Sequence, residues 1–181
     1  MQEEEAFWCL VQIVEVILPM DYYTNLLGVL IDYKVFQLMM EDRLPKLCKH
    51  LDANNFDLNL LITKWLICLF INHLPLDAEL AVWDLLMIKG ASVLFRVAIT
   101  LFQMMQADII KCTDSCEIYM IMDQFSKSVT REQLLKNLYV GVRSKEIDEL
   151  RLSCREEMFE LLEKQLMSSG PPKFNARLDF A

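Results

Sequence analysis

Glycine, proline and positive charge are all scarce in this sequence. The 181 residues include 4 Gly and 5 Pro, which argues against a turn-rich β fold and favours long helices joined by short connections. The formal net charge is −8, whereas proteins that bind nucleic acid usually present a basic face. Hydrophobic residues make up 54% of the chain, which is ample for the core of one domain. We therefore predict an all-α protein with no nucleic-acid partner.

The short motifs that carry enzyme chemistry are also missing. The sequence has no G-x-S-x-G, no P-loop and no G-x-G-x-x-G, so hydrolase, NTPase and dinucleotide-binding functions lack the backbone turns they require. Two spacings could suggest a metal, Cys48 with His50 and Cys112 with Cys116, but neither completes a set of four ligands. The acidic run at residues 3–5 favours the start of a helix rather than a catalytic cluster. We predict no catalytic residue, no cofactor and no metal.

Six cysteines are scattered through apolar segments, and no secretory signal precedes them. We interpret them as reduced core thiols of a cytosolic protein rather than as a disulfide set. The longest apolar run, residues 58–74, is interrupted by Lys64 and also contains Asn59, Asn72 and His73. Because a membrane span needs about 20 predominantly apolar residues, this run predicts a buried helix and no transmembrane segment. The mean hydropathy of +0.25 is unusually high for a free soluble domain.

Apolar residues recur at helical spacing along most of the chain. Pro19 and Gly90 mark helix ends, Pro45 suits a first helical turn, and Thr130 with Gln133 forms a capping-box pattern. The tail has no periodicity and is predicted to be disordered from residue 168 onward. The predicted helices are 3–18, 31–42, 45–52, 58–73, 76–88, 92–110, 116–126, 131–140 and 145–167.

Residues 58–96 carry spacings that ordinary helix patterning does not produce. They read W-x-x-x-L-F-x-x-x-L-P, then a helix ending in W-D, then a glycine and V-L-F-R. This stretch resembles the C-terminal half of a TBC domain, the Rab GTPase-activating fold, and the resemblance covers about residues 3–106. It implies an irregular multi-helix array. The matching positions are Trp65, Leu69, Phe70, Leu74, Pro75, Trp83, Asp84, Gly90, Val93, Leu94, Phe95 and Arg96.

The resemblance does not bring the family's catalytic groups with it. Family members use an Arg from I-x-x-D-x-x-R and a Gln from Y-x-Q, both located before the segment that matches residues 3–10 here. We expect both motifs to fall outside this chain, since none of its five Tyr has Gln two residues on and no Ile has Asp three residues on. Finger residues of this kind are worth roughly 10³–10⁵ in rate. The chain itself is therefore predicted not to be an enzyme.

The resemblance further implies a small Rab-type GTPase as partner, in the cytoplasm at endomembrane surfaces, with membrane association through partners only. A non-catalytic helical adaptor that binds other proteins is the alternative, because a fold does not fix a function. We expect residues 1–112 to form the TBC-like subdomain. Residues 113–167 would add helices that either pack on it or dock a partner.

The family-motif positions are predicted to be structural. Trp65 and Trp83 are expected in helix–helix contacts, with a partner for each indole N–H. Pro75 and Gly90 should bound one helix between them. Asp84 and Arg96 could form an ion pair joining two helices, and if that pair were buried, removing the acid would cost about 3–5 kcal/mol. In the last helix the residues expected to face inward are Ile147, Leu150, Cys154, Met158, Leu161 and Leu162.

Overall fold

The computed structural model describes residues 1–24 and 26–169, apart from the side chains of residues 162 and 165–169. This part of the chain is helical, with short connections and no strand, as the composition predicts. Nine α-helices and one π-helical turn, Gln12–Ile17, follow one another within it. The α-helices are α1 (Glu3–Val11), α2 (Leu27–Arg43), α3 (Pro45–Ala53), α4 (Leu58–Ile67), α5 (Leu76–Lys89), α6 (Ser92–Ile109), α7 (Ser115–Ser126), α8 (Arg131–Asn137) and α9 (Ser144–Ser169).

Most predicted helix ends lie within two residues of the observed ones, and four do not. The first helix changes to π geometry at residue 12, α2 begins at residue 27 instead of 31, α4 ends at residue 67 instead of 73, and α8 ends at residue 137 instead of 140. Helix α9 continues through residue 169, so the first two residues of the predicted disordered tail are helical. The rest of that tail, residues 170–181, lies outside the described residues.

Helix ends follow the capping chemistry that the sequence predicts. The Asp114 carboxylate accepts hydrogen bonds from the backbone N–H groups of Cys116 and Glu117, at 2.8 and 2.9 Å. Thr130 and Gln133 form the reciprocal capping box at the start of α8. These caps satisfy N–H groups that the first turn of a helix leaves without an internal partner.

Helix α6 is the centre of the fold. Twelve of its 18 residues are buried, and it packs against α4, α5, α7 and α8. The ring of Phe102 lies 5.8 Å from the ring of Trp65 on α4 and 5.8 Å from the ring of Phe36 on α2. A helix that is apolar on most of its faces must be covered on most of its faces. The surrounding helices supply that cover.

Helix α9 packs on α2, and charged pairs join the two elements and the loop before α2. Asp32, fully buried on α2, receives two hydrogen bonds from the Arg151 guanidinium, at 2.6 and 2.7 Å. Asp21 receives two from Arg155, at 2.8 and 3.1 Å. At the other end of α2, Arg43 pairs with Glu146. Bidentate pairs of this kind fix orientation as well as contact.

The pKa values of the two aspartates are shifted in opposite directions, although burial raises both. Burial raises the pKa of Asp32, and the hydrogen bonds from Arg151 oppose that rise. Asp21 is nearer the surface, so the hydrogen bonds from Arg155 prevail and lower its pKa. The charge on Asp32 is therefore tolerated because its arginine is present.

Several apolar side chains at helical spacing are exposed. Helix α1 contains no buried residue, and Phe7 and Leu10 are 57% and 52% exposed. Leu161 of α9 is 59% exposed, so the prediction that it faces inward is wrong, whereas Ile147 and Cys154 are buried as predicted. The side chain of Leu162 lies outside the described residues. Helical spacing by itself therefore does not show that a side chain is buried.

All six cysteines are free thiols, but they are not all in the core. Cys112 and Cys154 are buried, whereas Cys68 and Cys116 are exposed. The expectation of core thiols is therefore wrong for these two. Among residues 1–24 and 26–169, no helix is both long enough and apolar enough to cross a membrane.

We predict that Asp32→Ala lowers the free energy of unfolding by about 3–5 kcal/mol, because it removes the buried partner of Arg151 and leaves this guanidinium only the exposed Asp148 carboxylate, at 3.6 Å. The measurement is urea unfolding of the 181-residue chain. The matched control is Asp84→Ala, which removes an exposed carboxylate and should change stability by less than about 0.5 kcal/mol. Equal effects of the two substitutions would contradict this role of Asp32.

Asp21 gives a prediction about pH. The pKa of Asp21 is lower in the folded chain than in the unfolded chain. The Asp21–Arg155 pair therefore stabilises the fold fully at pH values above the pKa of the unfolded chain. That stabilisation is lost as the pH falls through the pKa of the folded chain. Asp21→Asn should therefore be less stable than the unsubstituted chain at neutral pH, and the difference should shrink below about pH 4. Urea unfolding at several pH values checks this, and a difference that stays constant with pH would rule the pair out.

Candidate functional site

The family-motif residues lie along α4, α5 and α6 and hold these helices together. Trp65 is buried, with its ring 5.4 Å from Phe70 and 5.8 Å from Phe102. Aromatic rings at these separations gain more than their buried area alone provides. Trp65 is therefore a core residue, as the sequence predicts.

A left-handed turn at residues 69–72 follows α4. Leu69, Phe70 and Asn72 have φ values of 49°, 66° and 61°, a region in which residues other than glycine are strained by roughly 1–2 kcal/mol each. This turn is the reason that α4 ends six residues earlier than predicted, because left-handed residues cannot continue a right-handed helix. No glycine marks it in the sequence.

Side-chain and backbone hydrogen bonds hold the left-handed turn. The indole Nε1 of Trp83 donates to the Leu69 carbonyl oxygen at 3.1 Å, which supplies the partner predicted for that indole. The backbone N–H of Asn72 donates to the Glu79 carboxylate at 3.2 Å, and the backbone N–H of Phe70 donates to the carbonyl of Trp65 at 3.0 Å. Trp83 and Glu79 both belong to α5, so α5 fixes the turn.

Pro75 and Gly90 bound α5, as predicted. Pro75 has extended backbone geometry, with φ −58° and ψ 146°, and immediately precedes the first helical residue. Gly90 has φ 76° and follows the last one, so it allows the sharp reversal into α6. A residue with a Cβ atom would be strained at that φ value.

The predicted pairing of Asp84 with Arg96 is wrong. Asp84 is exposed on α5, while the guanidinium of Arg96 donates two hydrogen bonds to the Val142 carbonyl oxygen, at 3.1 and 2.8 Å. The Thr100 hydroxyl, one turn along α6, accepts a hydrogen bond from the backbone N–H of Tyr139 at 2.9 Å. Arg96 and Thr100 therefore fasten the connection between α8 and α9 to the central helix.

Sequence reasoning missed the residues that dock α9. Asp32 lies between buried apolar positions of α2, and an acid in such a stripe signals a buried counter-ion. Arg151 and Arg155 are one helical turn apart, so both can face the same neighbour. These two signals were present, but neither identifies the other member of the pair.

A small pocket opens between α4, the left-handed turn and α7. Its volume is about 220 Å³, and its lining includes Trp65, Lys64, His73 and Tyr119. Burial lowers the pKa of His73, and the nearby charge of Lys64 acts in the same direction. Elsewhere in residues 1–24 and 26–169, no group of three or more Asp, Glu, His and Cys side chains is placed to hold a metal ion.

We predict that Trp83→Phe lowers the free energy of unfolding by about 1 kcal/mol, because the Leu69 carbonyl loses its hydrogen bond while an aromatic ring remains in place. Urea unfolding measures the change. Trp8→Phe is the control, since Trp8 is 60% exposed on α1 and should change stability by less than about 0.5 kcal/mol. If Trp83→Phe were as silent as Trp8→Phe, the indole bond would not stabilise the turn.

Comparisons with known proteins agree with this arrangement. The family model of the Rab-GTPase-TBC domain matches residues 1–110, which is more than half of the chain. TBC1 domain family member 2B of Xenopus tropicalis is 37% identical over 139 residues, which cover 76% of this chain and 15% of that protein. Human TBC1 domain family member 2A is 35% identical over 162 residues, covering 87% of this chain and 18% of that protein.

A solved structure shows the same likeness. The crystal structure of the Chlamydomonas flagellar RabGAP TBC domain superimposes with a TM-score of 0.66 and 30% sequence identity, covering 77% of this chain and 46% of that one. The chain thus spans less than a fifth of the length of the two TBC1 relatives and about half of the solved domain. The family match, the helical fold and the motif residues lead to one conclusion. This chain belongs to the Rab-GTPase-TBC domain family.

Proposed function

We propose that this chain forms the C-terminal part of a Rab GTPase-activating domain and contributes to the surface that binds a Rab-type GTPase. Residues 1–112 would be the C-terminal subdomain, and residues 113–167 would be helices that complete its packing. The match of the family model over residues 1–110 carries this proposal. The packing of Trp65 and the hydrogen bond of the Trp83 indole support the proposal, because each of these two family-motif residues makes a contact that stabilises the fold.

We also propose that the chain alone does not accelerate GTP hydrolysis. Its sequence contains neither the Y-x-Q nor the I-x-x-D-x-x-R spacing of the family. An arginine finger must be free to reach the phosphates. Of the six arginines in residues 1–24 and 26–169, Arg43, Arg96, Arg151 and Arg155 are bound to protein groups, while Arg131 and Arg143 are exposed but lie outside any I-x-x-D-x-x-R spacing.

The open face of α1 fits the same proposal. Phe7, Trp8 and Leu10 are all more than half exposed, and the rings of Phe7 and Trp8 meet in a T-shaped arrangement with centroids 5.3 Å apart. Exposed apolar clusters usually mark an interaction site. We propose that this face packs against the remainder of a TBC fold, on whichever polypeptide supplies it. The family relationship makes the cytoplasm, at endomembrane surfaces, the proposed location.

We predict that the chain leaves the rate of GTP hydrolysis by Rab proteins unchanged, because the groups that stabilise the transferring phosphoryl group are absent from its sequence. The measurement is single-turnover hydrolysis on a panel of GTP-loaded Rab proteins with an excess of the chain. A complete TBC domain is the positive control, and circular dichroism shows that the added chain is folded.

A tenfold acceleration, which corresponds to about 1.4 kcal/mol of barrier lowering, would contradict the proposed lack of catalysis. Binding is measured in the same samples with GTP-loaded and GDP-loaded Rab proteins. Preference for the GTP-loaded form supports a GTPase-facing surface. Equal binding to the GTP-loaded and GDP-loaded forms, or binding only to proteins other than Rab, would instead favour the helical adaptor.

A further inference from the structure

The pocket beside the left-handed turn is separate from the features that the proposed function uses. It is bounded by α4, by residues 72 and 73, and by α7. Apolar lining comes from Trp65, Leu61 and the partly exposed Leu60 and Tyr119. At about 220 Å³ it is smaller than the roughly 300–1,000 Å³ of most cofactor sites, so it has room for a single side chain.

Basic groups dominate the polar lining of this pocket. Lys64, His73 and Lys127 line it together with one acid, Asp123. That acid is paired with Lys127 at 2.7 Å, whereas Lys64 makes no ion pair with any residue in the described part of the chain. Several other lysines of the described residues also lack an ion pair, but Lys64 is the one among them that lines this pocket beside the half-buried His73. Such a lysine attracts an anionic group.

The left-handed turn explains why the pocket has this lining. Residues 69–72 reverse the chain after α4 and bring Asn72 and His73 back beside Lys64. The strain of three left-handed residues persists because Trp83 and Glu79 of α5 hold the turn. Backbone strain that the surroundings enforce is often found at binding sites. Here it places a half-buried imidazole at a pocket that a regular helix would not form.

We propose that this pocket binds the carboxylate of a Glu or Asp side chain presented by a partner protein, with Lys64 as its ion-pair partner and Trp65 and Tyr119 packing against the apolar stem. Charge complementarity and the size of the pocket select this occupant over a cofactor. The proposal goes beyond the function proposed above, because it requires neither nucleotide nor GTP hydrolysis.

A bound carboxylate must change the behaviour of His73. The groups that face this imidazole are Lys64 on α4, Asp123 on α7, Lys127 directly after α7, and Glu79 on α5. Burial is the main cause that disfavours the imidazolium, the charge of Lys64 adds to it, and a bound carboxylate offsets the lysine charge. Binding should therefore raise the pKa of His73 from its lowered value in the free chain.

The experiment is an NMR titration of the full chain with the blocked peptide Ac-Leu-Glu-Leu-NH2, in which leucines mimic an apolar partner surface. The chain has two histidines, so the imidazole of His50 on α3 serves as an internal reference. The expected result is a saturable shift of the His73 resonances together with a higher His73 pKa. The neutral peptide Ac-Leu-Gln-Leu-NH2 should produce neither effect.

Variants assign the effect to the pocket. Lys64→Gln should weaken the peptide about threefold to fivefold, the range expected for one exposed ion pair. Lys49→Gln, an exposed lysine on α3, should leave it unchanged. The proposal would be overturned if the two peptides gave equal responses or if the two variants had equal effects. It would also be overturned if the His73 resonances showed no saturable shift. A response to inorganic phosphate without one to the acidic peptide would also overturn it, since the site would then hold a free anion.

Discussion

The burial of α6 is the constraint on which the rest of the structure depends. With twelve of 18 residues buried, this helix has no broad face that can meet water, so α4, α5, α7 and α8 must surround it. The Phe102 ring links α6 to α4 and also to α2, because it contacts both Trp65 and Phe36. The connection between α8 and α9 also covers part of α6. There, Arg96 and Thr100 form hydrogen bonds with backbone groups of that connection.

Ion pairs, more than apolar packing, determine the position of α9 on α2. Helix α9 buries few residues against α2, so its apolar contacts specify its position weakly. A bidentate arginine pair has a defined geometry, and two such pairs, to Asp32 and Asp21, fix both the register and the direction of α9. The buried member costs desolvation energy, as the raised pKa of Asp32 shows. In α9 ion pairing therefore acts mainly to specify position.

The sequence predicts the fold class and most helix ends, because helical periodicity and capping are local properties. It fails where the decisive partner is distant along the chain. The sequence suggests Asp84 as the partner of Arg96, but Arg96 binds the Val142 carbonyl, 46 residues away. The left-handed turn also escapes prediction, since its three strained residues are not glycine and the hydrogen bonds that hold it come from α5.

The two unusual surfaces of the chain have different physical origins. The exposed aromatic residues of α1 are apolar side chains that lack a neighbouring element, and any sufficiently complementary apolar surface can cover them. The shape of the pocket beside the left-handed turn is instead fixed by backbone strain and by hydrogen bonds from α5. A pocket of fixed shape distinguishes between partners by geometry and charge, whereas an apolar face distinguishes between them mainly by shape. A protein partner that used both surfaces would gain contact area from α1 and selectivity from the pocket.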